Sequence, residues 1–489
     1  MYPRILRPGS GSPAASLDAE LARAVLANLP FACLGAVVTS AAVMAALLAF
    51  NIFAATLDRS NVAAHVRAAF ASDALGLAVH QRTNTREGAH QFNDCLILYM
   101  VLDTRGTAIQ RGLSPLNAGA IEQDPATYNP CEQLQALAFG TARPPSEPTE
   151  FYQRYIHGQV ALTSILLNLL PLPVLRALFD LFSFLGVAGL TLAGAWQIWF
   201  GSRTLISDAT NPDARVRLVR GLVTGTIAAA LLAFFGLQFY GMSLSHFPSD
   251  AVLIAYLWFA CLFDLGRLNT IASVTLHSLF GVLTAYFELL TGGIPLGVCF
   301  IFLAFVPHAT RNPVQALSRA VAGVAAFLIA VLTAFAIKLV LASIVFDAGV
   351  FADFFGQLGR RARDGSTNVL DLAIALFAAS HYLGAGWRLL GASLLLASVL
   401  AFAAGLYRLS RAPVPFAPRA PVLLIAAAFL SIAGWYLVML QHAHQHNFLM
   451  VRIAVGMIAS SVLIFALGYR REIATLLTGI LKLAHDPLK

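Results

Sequence analysis

Four ionisable residues interrupt long apolar runs in this chain: Lys338, Arg452, His277 and Glu288. A charge carried to the middle of a membrane-length helix costs about 2.5 to 3.5 kcal/mol on insertion scales, so such residues mark sites by default. Two polar groups flank other apolar runs. One holds Tyr152, Arg154, Tyr155, His157 and Gly158, and the other places His442, His444 and His446 on alternate positions. Each has a blander reading. Lys338 can snorkel, His277 can be a hydrogen-bonded core histidine, and Tyr152 and Tyr155 can belong to an interfacial aromatic belt. The alternating histidines have no adjacent Cys or acid, so no metal site is assigned. Cations and imidazoles suit an anion better, through charge-assisted hydrogen bonds to phosphate and bonds to sugar hydroxyls. Lys338, Arg154, Arg452, His157 and the histidine cluster all map to one side at similar depth. Together they read as a receptor for a lipid phosphate.

The elements that must position them are transmembrane helices. With 58% hydrophobic and 11% charged residues over 489 positions, the chain falls far from the soluble norm of about 25% charged. Uncharged runs give ten expected spans: 31–55, 173–200, 221–242, 251–266, 268–290, 293–307, 319–346, 389–407, 420–440 and 447–468. The net charge of +8 forms no basic stripe with interleaved aromatics, which argues against nucleic acid. It follows topology instead. Seventeen Arg and Lys lie in the two tails and the links on their side, against none in 243–250, 291–293 and 441–447. Both ends are therefore expected in the cytoplasm, with a 1–30 tail at one end and 469–489 at the other. The expectation is an all-α polytopic protein of a bacterial inner membrane, surrounded by membrane lipids. Its first span, 31–55, is retained rather than cleaved, since the run is too long for a signal-peptide core.

Two outer segments are long. Residues 56–172 form a polar loop followed by a short apolar run ending at Pro171, read as an interfacial or re-entrant helix. Residues 347–388 form the second loop, between the 173–346 bundle and the last three spans within 389–468. Of five cysteines, Cys33, Cys261 and Cys299 fall in apolar spans, whereas Cys95 and Cys131 share the outer loop. An oxidising compartment predicts that this pair is bonded.

On these residues the chain resembles the GT-C superfamily of integral membrane glycosyltransferases, in a bacterial branch. The similar pieces are Asn93-Asp94-Cys95 in the first outer loop and Tyr152-Gln-Arg154-Tyr155-Ile-His157-Gly158 before a short helix. Others are Thr275-Leu-His277-Ser-Leu-Phe-Gly281, the segment from Leu283 to Glu288 and Thr291, Lys338, and His442-Ala-His444-Gln-His446 leading to Arg452. The resemblance implies a polyprenyl-phosphate sugar donor, a glycan, lipid or protein acceptor outside the cytoplasm, and an inverting single displacement. It implies Asp94 as general base and Lys338, Arg154 and Arg452 around the donor phosphate, with His157, His277 and His442 completing that site. Tyr152, Tyr155, His444, His446 and Glu288 would line the substrate pocket. No cofactor is indicated. The chain is also similar to arabinofuranosyltransferases within the superfamily, although no residue reads out the sugar. The competing classes are a flippase or transporter of a lipid-linked glycan, which calls for polar groups in both membrane halves, and a membrane acyltransferase using His277 as base.

Overall fold

The computed structural model describes residues 13–77, 91–116, 129–141, 151–153, 155–287, 292–347, 349–362, 367–379, 388–411 and 416–469. Arg154 and Glu288 lie outside the described residues. Those described are helical throughout, apart from turns and a single isolated bridge between Leu116 and Phe151.

Among the described residues, ten helices of 15 residues or more form a bundle. They are α1 (Pro13–Thr56), α7 (Leu172–Ser207), α8 (Pro212–Phe234), α10 (Phe247–Leu262), α11 (Thr270–Phe287), α12 (Gly293–Ala309), α13 (Pro313–Val345), α16 (Arg388–Arg411), α17 (Phe416–Val438) and α20 (Ala454–Gly468). Eight helices among the described residues are long and apolar enough to cross a membrane. The two expected spans at 251–266 and 293–307 fall instead on α10 and α12, of 16 and 17 residues. At 1.5 Å per residue these reach roughly 24 to 26 Å, short of a hydrocarbon core of about 30 Å. The long helices are apolar on their outer sides too: Leu34, Leu192 and Leu332 are each about two-thirds exposed or more. A helix apolar all round is suited to lipid.

Packing within the bundle pairs α1 with α13, α11 with α13, α16 with α20, and α12 with α17. α7 and α8 approach closely along much of their length. A Cβ on Gly194 would lie 2.8 Å from the backbone nitrogen of Gly225, and one on Gly221 would lie 2.7 Å from the carbonyl of Gly194. Gly221 and Gly225 form the small-xxx-small spacing that lets helix backbones meet without a hydrophobic driving force. The core between helices is aromatic and aliphatic, with Phe280, Phe300, Phe305 and Phe327 buried.

The shorter helices gather at one face. α2 (Ser60–Ala71), α3 (Gln91–Leu102), α4 (Ala108–Leu113) and α5 (Pro130–Ala138) follow α1, and α6 (Gly158–Leu169) precedes α7. α6 is the short apolar helix expected before Pro171. α9 (Leu237–Tyr240) links α8 to α10. α14 (Gly349–Ala362) and α15 (Val369–Ala379) lie over α18 (Leu440–Gln445) and α19 (Asn447–Met450). The described part of the 56–172 segment thus folds as a helical cap with its own core, in which Val62, Val66, Leu98 and Leu134 pack against Leu167, Leu172, Phe179 and Leu244. Asn129 caps α5 by accepting from the backbone of Cys131, and Pro130 starts that helix. Cys95 and Cys131 are bonded, as their shared loop predicts.

With 36 residues between its ends, this disulfide restrains the unfolded cap by roughly 3 to 4 kcal/mol in the chain-entropy account. Replacing both cysteines with serine should loosen the cap while the bundle persists. Limited proteolysis of the purified double variant checks this: cleavage confined to 56–160 is expected, and protease resistance equal to wild type would count against it.

Candidate functional site

The site begins at the junction of α1, α6, α11 and α13. Asn51 interrupts the apolar run of α1 and donates to the carbonyl of Ile156 at 3.1 Å, while its own carbonyl accepts from the Tyr286 hydroxyl. Tyr286 fills the space over Gly158, where an added Cβ would lie 2.2 Å from the ring. Only glycine fits. His157 caps α6 in the left-handed region, at φ 62, which is uncommon for a residue with a side chain and costs strain. Its Nε2 pairs with the Tyr152 carbonyl at 2.7 Å, and its ring lies 5.2 and 6.1 Å from those of Tyr152 and Tyr155. The expected aromatic and imidazole cluster is therefore real.

Lys338 belongs to this site. Its side chain is fully buried on α13, and its Nζ makes no hydrogen bond among the described residues. His157 is also buried with Nδ1 unpartnered, and burial first, then the Lys338 charge, pushes it down to about 3. The two side chains are thus within electrostatic reach, and the imidazole is neutral near pH 7. Gln159 adds an amide that is buried with neither polar atom paired among the described residues. Unpaired buried polar atoms are costly and call for an explanation.

Beside His157 lies a cavity of about 20 Å³, room for about one water, walled by Asn51, Asp103, Arg59, Arg111 and Ser164. Arg59 and Arg111 close the end of α1: Arg59 donates to the Ala54 carbonyl at 2.7 Å and Arg111 to that of Ala55 at 2.8 Å. These cations oppose the negative end of the helix dipole. Burial, with the neighbouring Arg111 charge, lowers Arg59 to about 10. Asp103 is held by Arg105, whose side chain is 44% exposed. Next to α6, between α10 and α11, runs an apolar groove of about 360 Å³ lined by Phe247, Tyr256, Phe259, Phe280, Leu283 and Phe287. Leu279 on its wall is 38% exposed, so the groove opens to the side of the bundle.

Other expected residues go elsewhere. Asp94 is buried on α3, where Oδ2 accepts from Arg176 Nη2 at 2.7 Å and Oδ1 accepts from Ser243 Oγ at 2.8 Å and Leu244 N at 2.9 Å. Three donors from the bundle thus occupy this carboxylate. The assignment of Asp94 as general base gives way to a clamp between cap and bundle. His277 is a satisfied core histidine: Nδ1 pairs with the Ser273 carbonyl at 2.6 Å, and Nε2 faces the Tyr256 hydroxyl at 3.3 Å. It packs on Gly323, 15 residues from Lys338 and so about 22 Å along α13, too far to share a phosphate. Arg452 is buried against Asp250 and stacked over Phe235 and Tyr240, at 4.1 and 4.8 Å. It is an ion-paired, ring-stacked cation. His442 Nδ1 accepts from Arg361 Nη1 at 2.5 Å, and its ring lies 4.6 Å from that of His446. Because α18 is helical, His442 and His446 share a side at i, i+4, and His444 points away from them.

No family model, curated protein or solved structure matches the chain. Asn51, Gln159 and Asp103 were missed by sequence reasoning. Asn51 alone left a signal, as a polar residue inside an apolar run.

Two predictions follow from this geometry. Asp94→Asn should destabilise the fold by about 3 to 5 kcal/mol, since it leaves Arg176 buried and uncompensated, whereas Asp94→Leu with Arg176→Met should recover much of that loss. Thermal unfolding in detergent measures both, and a freely tolerated Asp94→Asn would remove the clamp. For His157, a folded value of about 3 lies below the ordinary 6.5, so its stabilisation is present above pH 6.5 and is lost as pH falls toward 3. Melting temperatures from pH 7 to 4 should drop more steeply for wild type than for His157→Gln. Parallel curves would mean that the imidazole is not held neutral.

Proposed function

We propose that this protein is a membrane glycosyltransferase of the GT-C type, moving a sugar from a polyprenyl-phosphate donor to a glycan, lipid or protein acceptor. The observation that carries the reading is the fully buried Lys338 side chain, whose Nζ makes no hydrogen bond among the described residues, with the Asp353 charge in reach and neutral His157 beside it. A phosphate is the partner such a group lacks, because it neutralises the charge and accepts its hydrogen bonds. The side-opening apolar groove next to α6 supports a lipid-borne donor, whose chain would lie there while its phosphate reaches Lys338.

In this reading all ten bundle helices cross a bacterial inner membrane, α10 and α12 with flanking residues, and the cap faces out. Both ends of the chain then lie in the cytoplasm. Lys338 offsets negative charge growing on the departing phosphate, and neutral His157 donates or accepts a hydrogen bond at its free nitrogen. The acceptor hydroxyl attacks the anomeric carbon, the bond to phosphate oxygen breaks, and the hydroxyl proton passes to a carboxylate. Asp103 takes that role in this reading, because it shares a cavity wall with His157, although the donor must then draw Arg105 off one of its oxygens.

A transporter reading fares less well. From Lys338 to Gly323 the inward residues of α13 are Ala334, Val331, Ala330, Phe327 and Ala326, all buried and apolar. A translocation path would need polar groups there.

Transfer of labelled sugar from a synthetic polyprenyl-phosphate donor tests the proposal, with donor binding measured on the same preparations. Lys338→Met should weaken donor binding by about tenfold or more. Asp103→Asn should keep donor binding and lose turnover by a factor on the order of 10² to 10⁴. Wild-type donor affinity in Lys338→Met would overturn the donor site, and near-normal turnover in Asp103→Asn would remove that base.

A further inference from the structure

A second polar cavity lies at the other face, where α10 passes through the short helical turn Leu265–Arg267 into α11 and where α12 gives way to α13. Its volume is about 240 Å³. Four arginines and two carboxylates gather here. Arg267 pairs with Asp213 at 2.7 Å and with Asp264 at 3.1 Å, Arg311 with Asp213 at 3.0 Å, and Arg220 with Asp264 at 3.6 Å. Arg319 donates to the carbonyl of Gly266 and has no carboxylate of its own in these contacts. The local balance is two positive charges in excess, before the positive N-terminal end of α13 is counted.

The cavity wall is constructed rather than incidental. His308 Nε2 accepts from Gly266 N at 3.2 Å, and its Nδ1 lies 3.0 Å from Asp264, which fits a neutral ring donating from Nδ1. A Cβ on Gly266 would lie 2.4 Å from that ring, so the turn can close on His308 only with glycine. Scattered topology signals would be solvated separately. Here the Arg220 side chain is only 14% exposed and Arg319 is half-buried.

Its depth points to the headgroup layer. Gly221 of α8 meets Ile198 of α7, which sets Arg220 level with Trp199. Trp196 and Trp199 are 62% and 45% exposed, and Arg203 stacks on Trp199 at 4.2 Å, as expected for an interfacial aromatic belt. Basic pockets between helices at this depth suit lipid phosphates.

We infer that this cavity is a phosphate-binding site, separate from the Lys338 site and on the opposite face, with Arg311, Arg319 and the start of α13 facing the anion. The phosphate is carried by an anionic lipid headgroup or by a soluble phosphorylated molecule.

The test uses the full chain, as wild type, Arg311→Gln and Gln315→Glu. Both substituted residues are exposed, so folding should survive. Retention of phosphatidylglycerol against phosphatidylcholine is read by native mass spectrometry, and inorganic phosphate binding by thermal shift at constant ionic strength. Wild type should bind phosphate, and each variant should weaken binding by about tenfold. Arg203→Gln, at the same depth but outside the cavity, should change nothing. Selective retention of phosphatidylglycerol that phosphate displaces identifies a headgroup, whereas a phosphate shift without lipid selectivity identifies a soluble ligand. Equal phosphate and lipid binding in wild type and both variants would overturn the inference, as would an equal loss in Arg203→Gln.

Discussion

The carboxylate of Asp94 holds the two parts of this molecule in register. It joins α3 in the cap to Arg176 at the start of α7, and to the turn at Ser243 and Leu244 between α9 and α10. Arg176 reaches on to the Ala74 carbonyl at 2.7 Å, after α2. Four stretches far apart in sequence therefore meet at one ion pair that is almost wholly buried. Such a pair is weak as a source of net stability, because desolvation offsets attraction, but it is unforgiving of misplacement. The cap can sit on the bundle in one position only. The wall that Asn51, His157 and Tyr286 build between them depends on that position.

The bundle beneath has an apolar floor. Polar groups concentrate at its two faces, with His277 as a satisfied exception in between, and the α13 residues separating Lys338 from Gly323 are small or aromatic. This separation keeps the two polar cavities of the chain apart. It also explains the dense packing of Phe280, Phe305 and Phe327 around Gly281 and Gly297. Close backbone contact there leaves no room for water.

Hydropathy carried most of the architecture. A helix at each expected span, eight of them long and apolar enough to cross a membrane, and the short helix before Pro171 were legible because length and apolar composition are local properties of the sequence. The disulfide was legible because Cys95 and Cys131 were alone in one compartment. Partnership was harder to read. Asp94 looks available in sequence, and its partner Arg176 is 82 residues away at the start of an apolar helix. His277 and Lys338 both interrupt apolar runs, yet one has two hydrogen-bond partners and the Nζ of the other has none among the described residues, and no periodicity distinguishes them. The alternating histidines suggested one side only if the segment were extended, and α18 is helical.

The Asp94 clamp also sets an order of assembly. Cys95 and Cys131 are made 36 residues apart and can meet as soon as the cap emerges. Asp94 must wait for Leu244, 150 residues later, which at about 5 to 20 residues per second is roughly 8 to 30 s of synthesis. For the first 82 residues of that interval the guanidinium of Arg176 has yet to be made, and two further bundle helices, α7 and α8, precede the partner turn. The cap is thus covalently closed early and seated late, so a chaperone or translocase that holds nascent membrane segments would meet it as a preformed but undocked unit.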